Sequence, residues 1–347
     1  MRMVCVRLFA RTCPVLVVCV RYGGRVVSII VEECHVVRAW KDDFREQYGE
    51  LPELRSSVPS VPWGLFTATL EPAAKAELER DLDLHDALLI KGLFTRPNIF
   101  LDVQSFDAGD WEQVVGPVLD RLRQDPQGTG RTLIYSVKEI SVEVALLLGD
   151  EIGQYNAKTG GHLVVDYYKS DASLERKVRV RQDWLLADSK RRVLLATNGL
   201  GMGLNMKALY DVYDLDFVKL LADWCQEFGR AGRDGRPARA IVWYSSLRGR
   251  AECMRKFING VKNNRCLRMI IARHFDPTCS LADIRAAQPG ATDAEKAQTC
   301  CRVCRQRGSM LEPDDALCPC GAVDERRKFC PECGRKSQRA ASRPRRT

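Results

Sequence analysis

The most unusual stretch of the chain is a glycine-rich segment that carries two arginines three positions apart. Residues 226–235 read QEFGRAGRDG and follow an apolar run with helical character. Glycine is unfavourable inside a helix and arginine is rarely buried, so this composition is not typical of a core segment. A phosphoryl group in transfer needs positive charge beside its equatorial oxygens, which a planar guanidinium group supplies. Arg230 and Arg233 are therefore candidate phosphate contacts, and the alternative is a solvated, arginine-rich loop.

Cysteine is the second residue type whose spacing indicates chemistry. Nine of the fifteen cysteines lie between Cys266 and Cys333, and some of them form C-x-x-C pairs. In a chain that is not secreted, such pairs indicate metal ligands rather than disulfides. One cluster resembles a zinc ribbon whose first knuckle is one residue short, and it consists of Cys318, Cys320, Cys330 and Cys333. Thiolates in such pairs suit tetrahedral Zn²⁺, and the alternative is a set of reduced, buried cysteines.

The composition restricts the class of protein. The chain has 347 residues and a formal net charge of +9, which favours an acidic partner, most commonly nucleic acid. It has no run of about 18 apolar residues, the length that a membrane-spanning helix requires. The first twenty residues are largely apolar, but Arg7 and Arg11 interrupt them and no small-residue cleavage site follows, which argues against a secretory signal. We expect the nucleus, or the cytoplasm if the source is prokaryotic.

Strand and helix patterns alternate around these residues. Apolar runs predict strands at 25–35, 61–69, 131–137, 162–168, 191–197 and 239–245, and helical patterns occupy 71–82, 138–149, 173–187 and 219–230. This alternation indicates an α/β fold in which parallel sheets are covered on both faces. Functional side chains of such sheets lie at the carboxyl ends of the strands. The polar stretch 104–113 predicts a boundary between two lobes.

Six short motifs stand in a fixed order along the chain. They read VEECHVVRAWKDDFREQY (31–48), FTAT (66–69), FTRPNI (94–99), TLIYSV (132–137), ATNGLGMGLN (196–205) and QEFGRAGRDG (226–235). They resemble the DEAH box with its aromatic-rich loop, motif III, the RPN element and motifs IV, V and VI of the RecQ family of superfamily-2 DNA helicases. The resemblance implies two RecA-like lobes, a partial first and a complete second, that clamp ATP and Mg²⁺. It also implies 3′→5′ movement along DNA.

The resemblance assigns a role to individual residues. Those implied to bind nucleotide and Mg²⁺ are Glu32, Glu33, His35, Gly201 and Gly203, with Glu33 as the carboxylate that activates water. Those implied to contact DNA are Trp40, Phe44, Arg45 and Thr197, and those implied to couple the lobes are Thr67 and Thr69. The residues implied to act on the nucleotide from the second lobe are Gln226, Arg230 and Arg233, with Arg233 as the arginine finger.

The resemblance also divides the chain and implies a second group of zinc ligands. The implied ligands are Cys266, Cys279, Cys301 and Cys304, with Cys300 as an alternative to Cys279 or Cys301. The expected segments are an unassigned N-terminus (1–24), a partial ATP-binding lobe (25–107), the C-terminal lobe (108–247), a zinc-binding module (248–304), a zinc ribbon (305–333) and a tail (334–347). The tail carries six Lys or Arg and no acid, so we expect it to be disordered and to contact polyanions.

Three features depart from the family pattern. Glu32 stands where the family has aspartate, and its extra methylene displaces a carboxylate that Mg²⁺ needs in strict geometry. Asp42 replaces a histidine of the aromatic-rich loop, and no G-x-x-x-x-G-K-[ST] phosphate loop occurs in the sequence. We therefore expect an N-terminally truncated, impaired DNA helicase of repair or recombination, a monomer that binds single-stranded or forked DNA. The alternatives are a non-catalytic DNA-binding remnant and an RNA-binding zinc protein.

Overall fold

The computed structural model of the chain describes residues 6–7, 17–22, 25–34, 51–124, 130–168, 172–186, 189–197, 206, 208–216 and 218–310. The chain forms two compact units, Met1–Gly92 and Leu93–Thr347. This division differs from the sequence-based boundary at residue 107, because the strand that ends at Ser105 pairs within the second unit. In the described ranges, no helix combines the length and the apolar character that crossing a bilayer requires.

The first unit contains a four-stranded mixed sheet in the order β1-β2-β3-β4. Its elements are β1 (Val6–Arg7), β2 (Val17–Tyr22), β3 (Arg25–Glu32), α1 (Leu51–Ser57), β4 (Trp63–Phe66) and α2 (Pro72–Asp81). The parallel pairing of β3 with β4 confirms the strands predicted there. The antiparallel pairing of β2 with β3 corrects the expectation of a wholly parallel sheet in the first lobe. Only Gly23 and Gly24 separate these strands in the sequence, and a two-residue connection permits a hairpin but no parallel crossover.

One face of β3 supplies the core of the first unit. Ile29 and Val31 are buried, and they pack with Leu51 of α1 and Leu78 of α2. The alternate residues of the strand are more exposed, as expected for the two-residue period of a strand with one buried face. The strand therefore delivers Glu32, its last residue, to the carboxyl edge of the β3–β4 pair in an exposed position.

The second unit is built on a six-stranded parallel sheet in the order β5-β10-β9-β6-β8-β7. Its strands are β5 (Ile99–Ser105), β6 (Arg131–Ser136), β7 (Val164–Tyr168), β8 (Arg191–Ala196), β9 (Leu209–Leu215) and β10 (Ala238–Tyr244). The four strands predicted in this unit are confirmed as β6, β7, β8 and β10, whereas β5 and β9 were not predicted. Every residue of β6 is buried, which is typical of a strand covered on both faces.

Helices cover both faces of this sheet. On one face, α3 (Glu112–Gln124) and α4 (Lys138–Thr159) bury Val118 and Leu148 against the strands. On the other face, α5 (Leu174–Leu185) and α6 (Leu221–Phe228) bury Trp184 and Trp224. The alternation of strand and helix thus gives the covered parallel sheet that the sequence predicts.

The C-terminal helices share the second core with the sheet. They are α7 (Glu252–Asn259), α8 (Leu267–Phe275), α9 (Leu281–Ala286), α10 (Asp293–Cys300) and α11 (Arg302–Arg307). Capping boxes begin α9, with Ser280 and Asp283, and α10, with Thr292 and Glu295, which fixes where both helices start. The predicted module 248–304 is therefore continuous with the core of the second unit. The residues after 310, where the ribbon and the basic tail are predicted, lie outside the described residues.

Candidate functional site

A glycine turn follows α6 at the carboxyl end of the QEFGRAGRDG segment. Gly232 has a φ of 54°, and its amide donates to the carbonyl of Leu209 over 2.8 Å, which ties the turn to the start of β9. A Cβ on Gly232 would lie 2.5 Å from Asn98 Nδ2 and 2.8 Å from the carbonyl oxygen of Arg236. Both the left-handed backbone and the lack of space therefore require glycine at this position.

The turn places its two arginines in different environments. Arg230 is buried, with 8% of its surface exposed, whereas Arg233 is exposed. The pKa of Arg233 is lowered, first by partial burial and then by the positive charge of Arg230. In the described part of the chain, no carboxylate lies within ion-pair distance of Arg233. Of the two predicted phosphate contacts, Arg233 is thus the one that a ligand can reach directly.

The surroundings of Arg230 include the buried side chains of Glu227 and Tyr135. Burial, followed by the nearby Asp214 and Asp223, raises the pKa of Glu227 well above its usual range, so the neutral acid is favoured. Tyr135, at the carboxyl end of β6, is also buried, and its hydroxyl lies near the Arg230 guanidinium without a hydrogen bond of good geometry.

The segment 94–99, FTRPNI, holds the turn in place. The Arg96 guanidinium donates to three carbonyl oxygens of the turn, those of Gly229 (2.9 Å), Ala231 (2.7 Å) and Gly232 (3.1 Å). Asn98 Nδ2 donates to the carbonyl oxygens of Gly232 (2.8 Å) and Arg236 (2.9 Å). The sequence marked this segment as a family motif but assigned it no task, and the structure shows that it binds the arginine turn.

Other predicted site residues lie at the carboxyl ends of strands. Thr197 follows β8 and is buried, and its hydroxyl has no hydrogen-bond partner among the described residues. In the first unit, Glu32 and Glu33 are exposed at the end of β3, and Glu33 has a positive φ of 52°. The Thr69 amide donates to Thr67 Oγ1 over 3.2 Å. The predicted residues His35, Trp40, Phe44, Arg45, Gly201 and Gly203 lie outside the described residues.

A basic cleft that the sequence analysis missed lies after β9 and β10. It has a volume of about 330 Å³ and is lined by Asp216, Val218, Lys219, Ser246, Arg248, Gly249 and Arg250. Arg250 is buried and donates to the carboxylate of Asp216 over 2.9 Å, while the Ser245 amide donates to the same carboxylate. Lys219 and Arg248 are exposed, and the described residues offer neither of them a carboxylate partner. The signal that could have found this cleft is its position at the carboxyl edge of the parallel sheet.

Four cysteines meet in the core between α8, α10 and α11. The sulfurs of Cys266, Cys300, Cys301 and Cys304 lie within 4.8 Å of one another, and all four residues are buried. The Sγ atoms of Cys266 and Cys300 are 3.5 Å apart. Tetrahedral Zn²⁺ with Zn–S bonds of about 2.3 Å places sulfurs about 3.8 Å apart, so this thiol set fits a structural zinc ion.

Cys279 does not belong to this group, so the clustered thiols differ from the predicted ligand set in this residue. It lies in the turn before α9, where its Sγ donates to the carbonyl of Ser280 over 3.7 Å. Cys300, the alternative weighed from the sequence, takes its place because it ends α10 directly beside Cys301. The second predicted cluster, Cys318, Cys320, Cys330 and Cys333, lies outside the described residues.

The four thiols do not ionise independently. The pKa of Cys301 lies well below its ordinary value because Cys266, Cys300 and Cys304 hydrogen-bond to its sulfur. The pKa of Cys266 is raised well above its ordinary value, chiefly by its hydrogen bond with Cys300. The group therefore favours a thiolate at its centre, and the thiolate is the form of cysteine that binds metal.

Comparison with known proteins agrees with this architecture. The model of the helicase conserved C-terminal domain matches residues 118–235, which include the arginine turn. The solved structure of Mss116p bound to ssRNA and AMP-PNP covers 69% of this chain, and the chain covers 46% of it, with a TM-score of 0.50 and 12% identity. That likeness concerns the fold alone. The second unit is thus a RecA-like α/β lobe of the kind that forms the C-terminal half of helicases.

Two relatives of this chain indicate a more specific class of helicase. The chain is 29% identical over 218 residues to the ATP-dependent DNA helicase hus2/rqh1 of Schizosaccharomyces pombe. The aligned region covers 62% of this chain and 15% of that protein. It is 28% identical over 222 residues to the ATP-dependent DNA helicase RecQ of Haemophilus influenzae. That aligned region covers 64% of this chain and 33% of the relative. These matches support a RecQ-family helicase of superfamily 2. The chain spans 33% or less of the length of these two relatives.

Proposed function

We propose that the chain is the arginine-bearing, DNA-binding part of an ATP-dependent 3′→5′ DNA helicase of repair or recombination. The observation that carries the proposal is the glycine turn that keeps Arg233 exposed beside a buried Arg230. The relatives named as ATP-dependent DNA helicases support the same function. The match of the helicase C-terminal domain to residues 118–235 includes this turn and supports its assignment to the nucleotide.

The residues of the chain would divide the chemistry between them. ATP with Mg²⁺ supplies the phosphoryl group and its countercharge when bound. Arg233 would donate to the oxygens of the transferring phosphoryl group, and Arg230 would add positive charge from inside the lobe. Glu33 would accept the proton of the attacking water, and Glu32 would hold the metal. The pKa of Glu227 is raised well above its usual range by burial, and the charge of Arg230 opposes this shift.

We also propose that Cys266, Cys300, Cys301 and Cys304 hold one structural Zn²⁺. The four buried sulfurs provide a closed set of ligands with no room for a substrate, which is typical of structural rather than catalytic zinc. The ion would fasten the end of α10 and the start of α11 to α8, the helix that follows Cys266. A second ion in the ribbon 318–333 remains a prediction from the sequence.

A second candidate function is DNA binding without ATP turnover. The basic cleft favours it, because Lys219 and Arg248 can contact phosphates of a nucleic-acid backbone without any nucleotide. The sequence also contains no phosphate loop, the element whose backbone amides and lysine hold the phosphates of ATP. For the chain as printed, we therefore expect ATP hydrolysis at background rate.

The experiment that separates the two functions measures phosphate release from ATP with and without single-stranded DNA. Arg233→Ala is compared with Arg236→Ala, which removes an exposed arginine of the same turn that donates to the Tyr210 hydroxyl. DNA-stimulated turnover that Arg233→Ala abolishes and Arg236→Ala keeps would establish a motor in this chain. Background turnover together with DNA binding would establish the second candidate. The absence of both turnover and DNA binding would contradict both proposals.

A further inference from the structure

Arg268 is a buried arginine, with 5% of its surface exposed, and no carboxylate pairs with it among the described residues. Instead, its guanidinium donates to main-chain carbonyls of two separate segments. Nη1 donates to Arg96 O over 2.9 Å, and Nη2 donates to Ile99 O over 2.5 Å and to Cys300 O over 3.0 Å. A buried charge is unfavourable without such partners, so this contact fixes the relative position of the segments it joins.

One of those segments ends at the cysteine cluster. Cys300 is the last residue of α10, so its carbonyl is one of those left without a partner inside the helix. Arg268 lies two residues after Cys266, in the first turn of α8, and α8 begins at Leu267 beside the same cluster. Cys301 forms a β-bridge with Leu101, which docks the cluster on the edge strand β5. The position of Arg268 therefore depends on the arrangement of these cysteines.

The other segment holds the arginine turn. The main-chain oxygen of Arg96 accepts from Arg268, while the Arg96 side chain donates to Gly229, Ala231 and Gly232. The pKa of Arg96 is lowered, by burial first and then by the positive charge of Arg233. Arg96 thus holds the backbone of the turn that carries the exposed Arg233.

These contacts form one continuous path of hydrogen bonds. We propose that Arg268 and Arg96 are positioning residues that connect the cysteine cluster to the arginine turn, so that loss of the metal releases Arg233 from its place. The proposal rests on the proposed function for the zinc ion and for the role of Arg233. In this proposal the cysteine cluster and the arginine turn are coupled through the contacts of Arg268 and Arg96.

Hydrogen exchange of the full-length protein tests the path without ATP or DNA. The amides of residues 229–235 are followed in Arg268→Met and Arg96→Met, and those of β6 report opening of the whole lobe. Arg191→Met is the control, because Arg191 is half-buried like Arg96 and lies on β8, where its guanidinium pairs with Asp166 of β7 and Asp183 of α5 and not with the turn. We expect both test variants to speed exchange in the turn about tenfold or more relative to β6, and the control to leave this ratio unchanged. Equal effects of all three variants would overturn the proposal.

Two further measurements separate positioning from a general loss of stability. Guanidinium ion added at low concentration to Arg96→Ala should restore protection of the turn, since it can occupy the vacated place. Lack of restoration would contradict a role for the Arg96 guanidinium. Chelation of zinc in the wild type should loosen the turn as Arg268→Met does, and chelation of Arg268→Met should add little. Additive effects of chelation and substitution would overturn the path through Arg268, whatever the outcome for ATP hydrolysis or DNA binding.

Discussion

Arg230 and Arg233 lie three residues apart on one turn, yet Arg230 is buried and Arg233 is exposed. Two residues that look equivalent in the sequence therefore have different neighbours. Arg230 lies among Tyr135 and the neutral-favoured Glu227 inside the lobe. Arg233 extends from a turn whose shape Gly232 and Arg96 fix. The structure thus separates the arginine that supports the lobe from the one that can reach a ligand.

Substitution of the two arginines should have unequal effects on stability. Arg230→Ala removes a buried side chain and its packing, and we expect a loss of roughly 1–3 kcal/mol in the free energy of unfolding. Arg233→Ala should change that free energy by less than about 0.5 kcal/mol, as is usual for exposed positions. Urea unfolding of both variants and of the exposed control Arg236→Ala checks this difference. Equal destabilisation by Arg230→Ala and Arg233→Ala would contradict the described burial.

The cysteine cluster predicts which thiols hold metal. Cys300→Ser should lose zinc and aggregate, because a structural zinc site contributes on the order of 10 kcal/mol of folding free energy. Cys279→Ser should keep its zinc at that site, since Cys279 lies outside the group of four. Metal analysis of the purified proteins, each with Cys318, Cys320, Cys330 and Cys333 replaced by serine, gives the result. Loss of zinc in Cys279→Ser with retention in Cys300→Ser would restore the ligand set implied by the family resemblance.

Glu227 predicts a dependence of stability on pH. Its pKa in the folded protein is raised well above the usual range, so the folded state holds a proton that the unfolded state releases above about pH 4.3. The wild-type protein therefore loses stability as the pH rises from that value through the folded pKa. Glu227→Gln keeps the shape and cannot ionise, so its stability relative to the wild type should increase with pH. Urea unfolding at several pH values checks this trend, and a difference that is constant with pH would contradict a raised pKa.

Much of this fold could be predicted from local sequence. The strands β6, β7, β8 and β10 stand in apolar, β-branched runs, and the glycines of the turn mark its position. The strand β5 was not recognised, because it pairs with β10, more than a hundred residues away, and lies beside a polar stretch that resembles a domain boundary. Both partners of β5, β10 and Cys301, are more than a hundred residues away, so the adjoining sequence gives no sign of the sheet to which β5 belongs.

The candidate site could be predicted only in part, for a similar reason. The sequence identified Arg230 and Arg233 but could not tell which of them is buried, since that depends on contacts with Arg96 and Tyr135 from other elements. It identified a group of cysteines but not that Cys300 replaces Cys279, since that depends on where α10 ends. The basic cleft has residues from two loops, so no single motif contains it, and only the position of both loops after strands indicates it.

The basic cleft predicts how DNA binding responds to salt. Lys219→Ala with Arg248→Ala should weaken binding to single-stranded DNA and reduce the slope of log affinity against log salt. Each phosphate contact on a single strand contributes about 0.7 to this slope, so the loss of two contacts should reduce it by about 1.4. Deletion of residues 334–347, which carry six Lys or Arg, should flatten the slope further without abolishing binding. The control is Lys158→Ala with Lys190→Ala, which removes two exposed lysines near the opposite, amino edge of the sheet.

The most direct test of a DNA-binding helicase lobe is a fluorescence-anisotropy titration of a labelled single strand with the full chain at several salt concentrations. The structure predicts binding without ATP and without sequence preference, with an affinity that falls steeply with salt. It also predicts that Lys219→Ala with Arg248→Ala flattens this dependence, whereas Lys158→Ala with Lys190→Ala leaves it unchanged. Equal effects of the two pairs would contradict binding at the basic cleft, and loss of all binding when residues 334–347 are deleted would contradict DNA binding by the lobe.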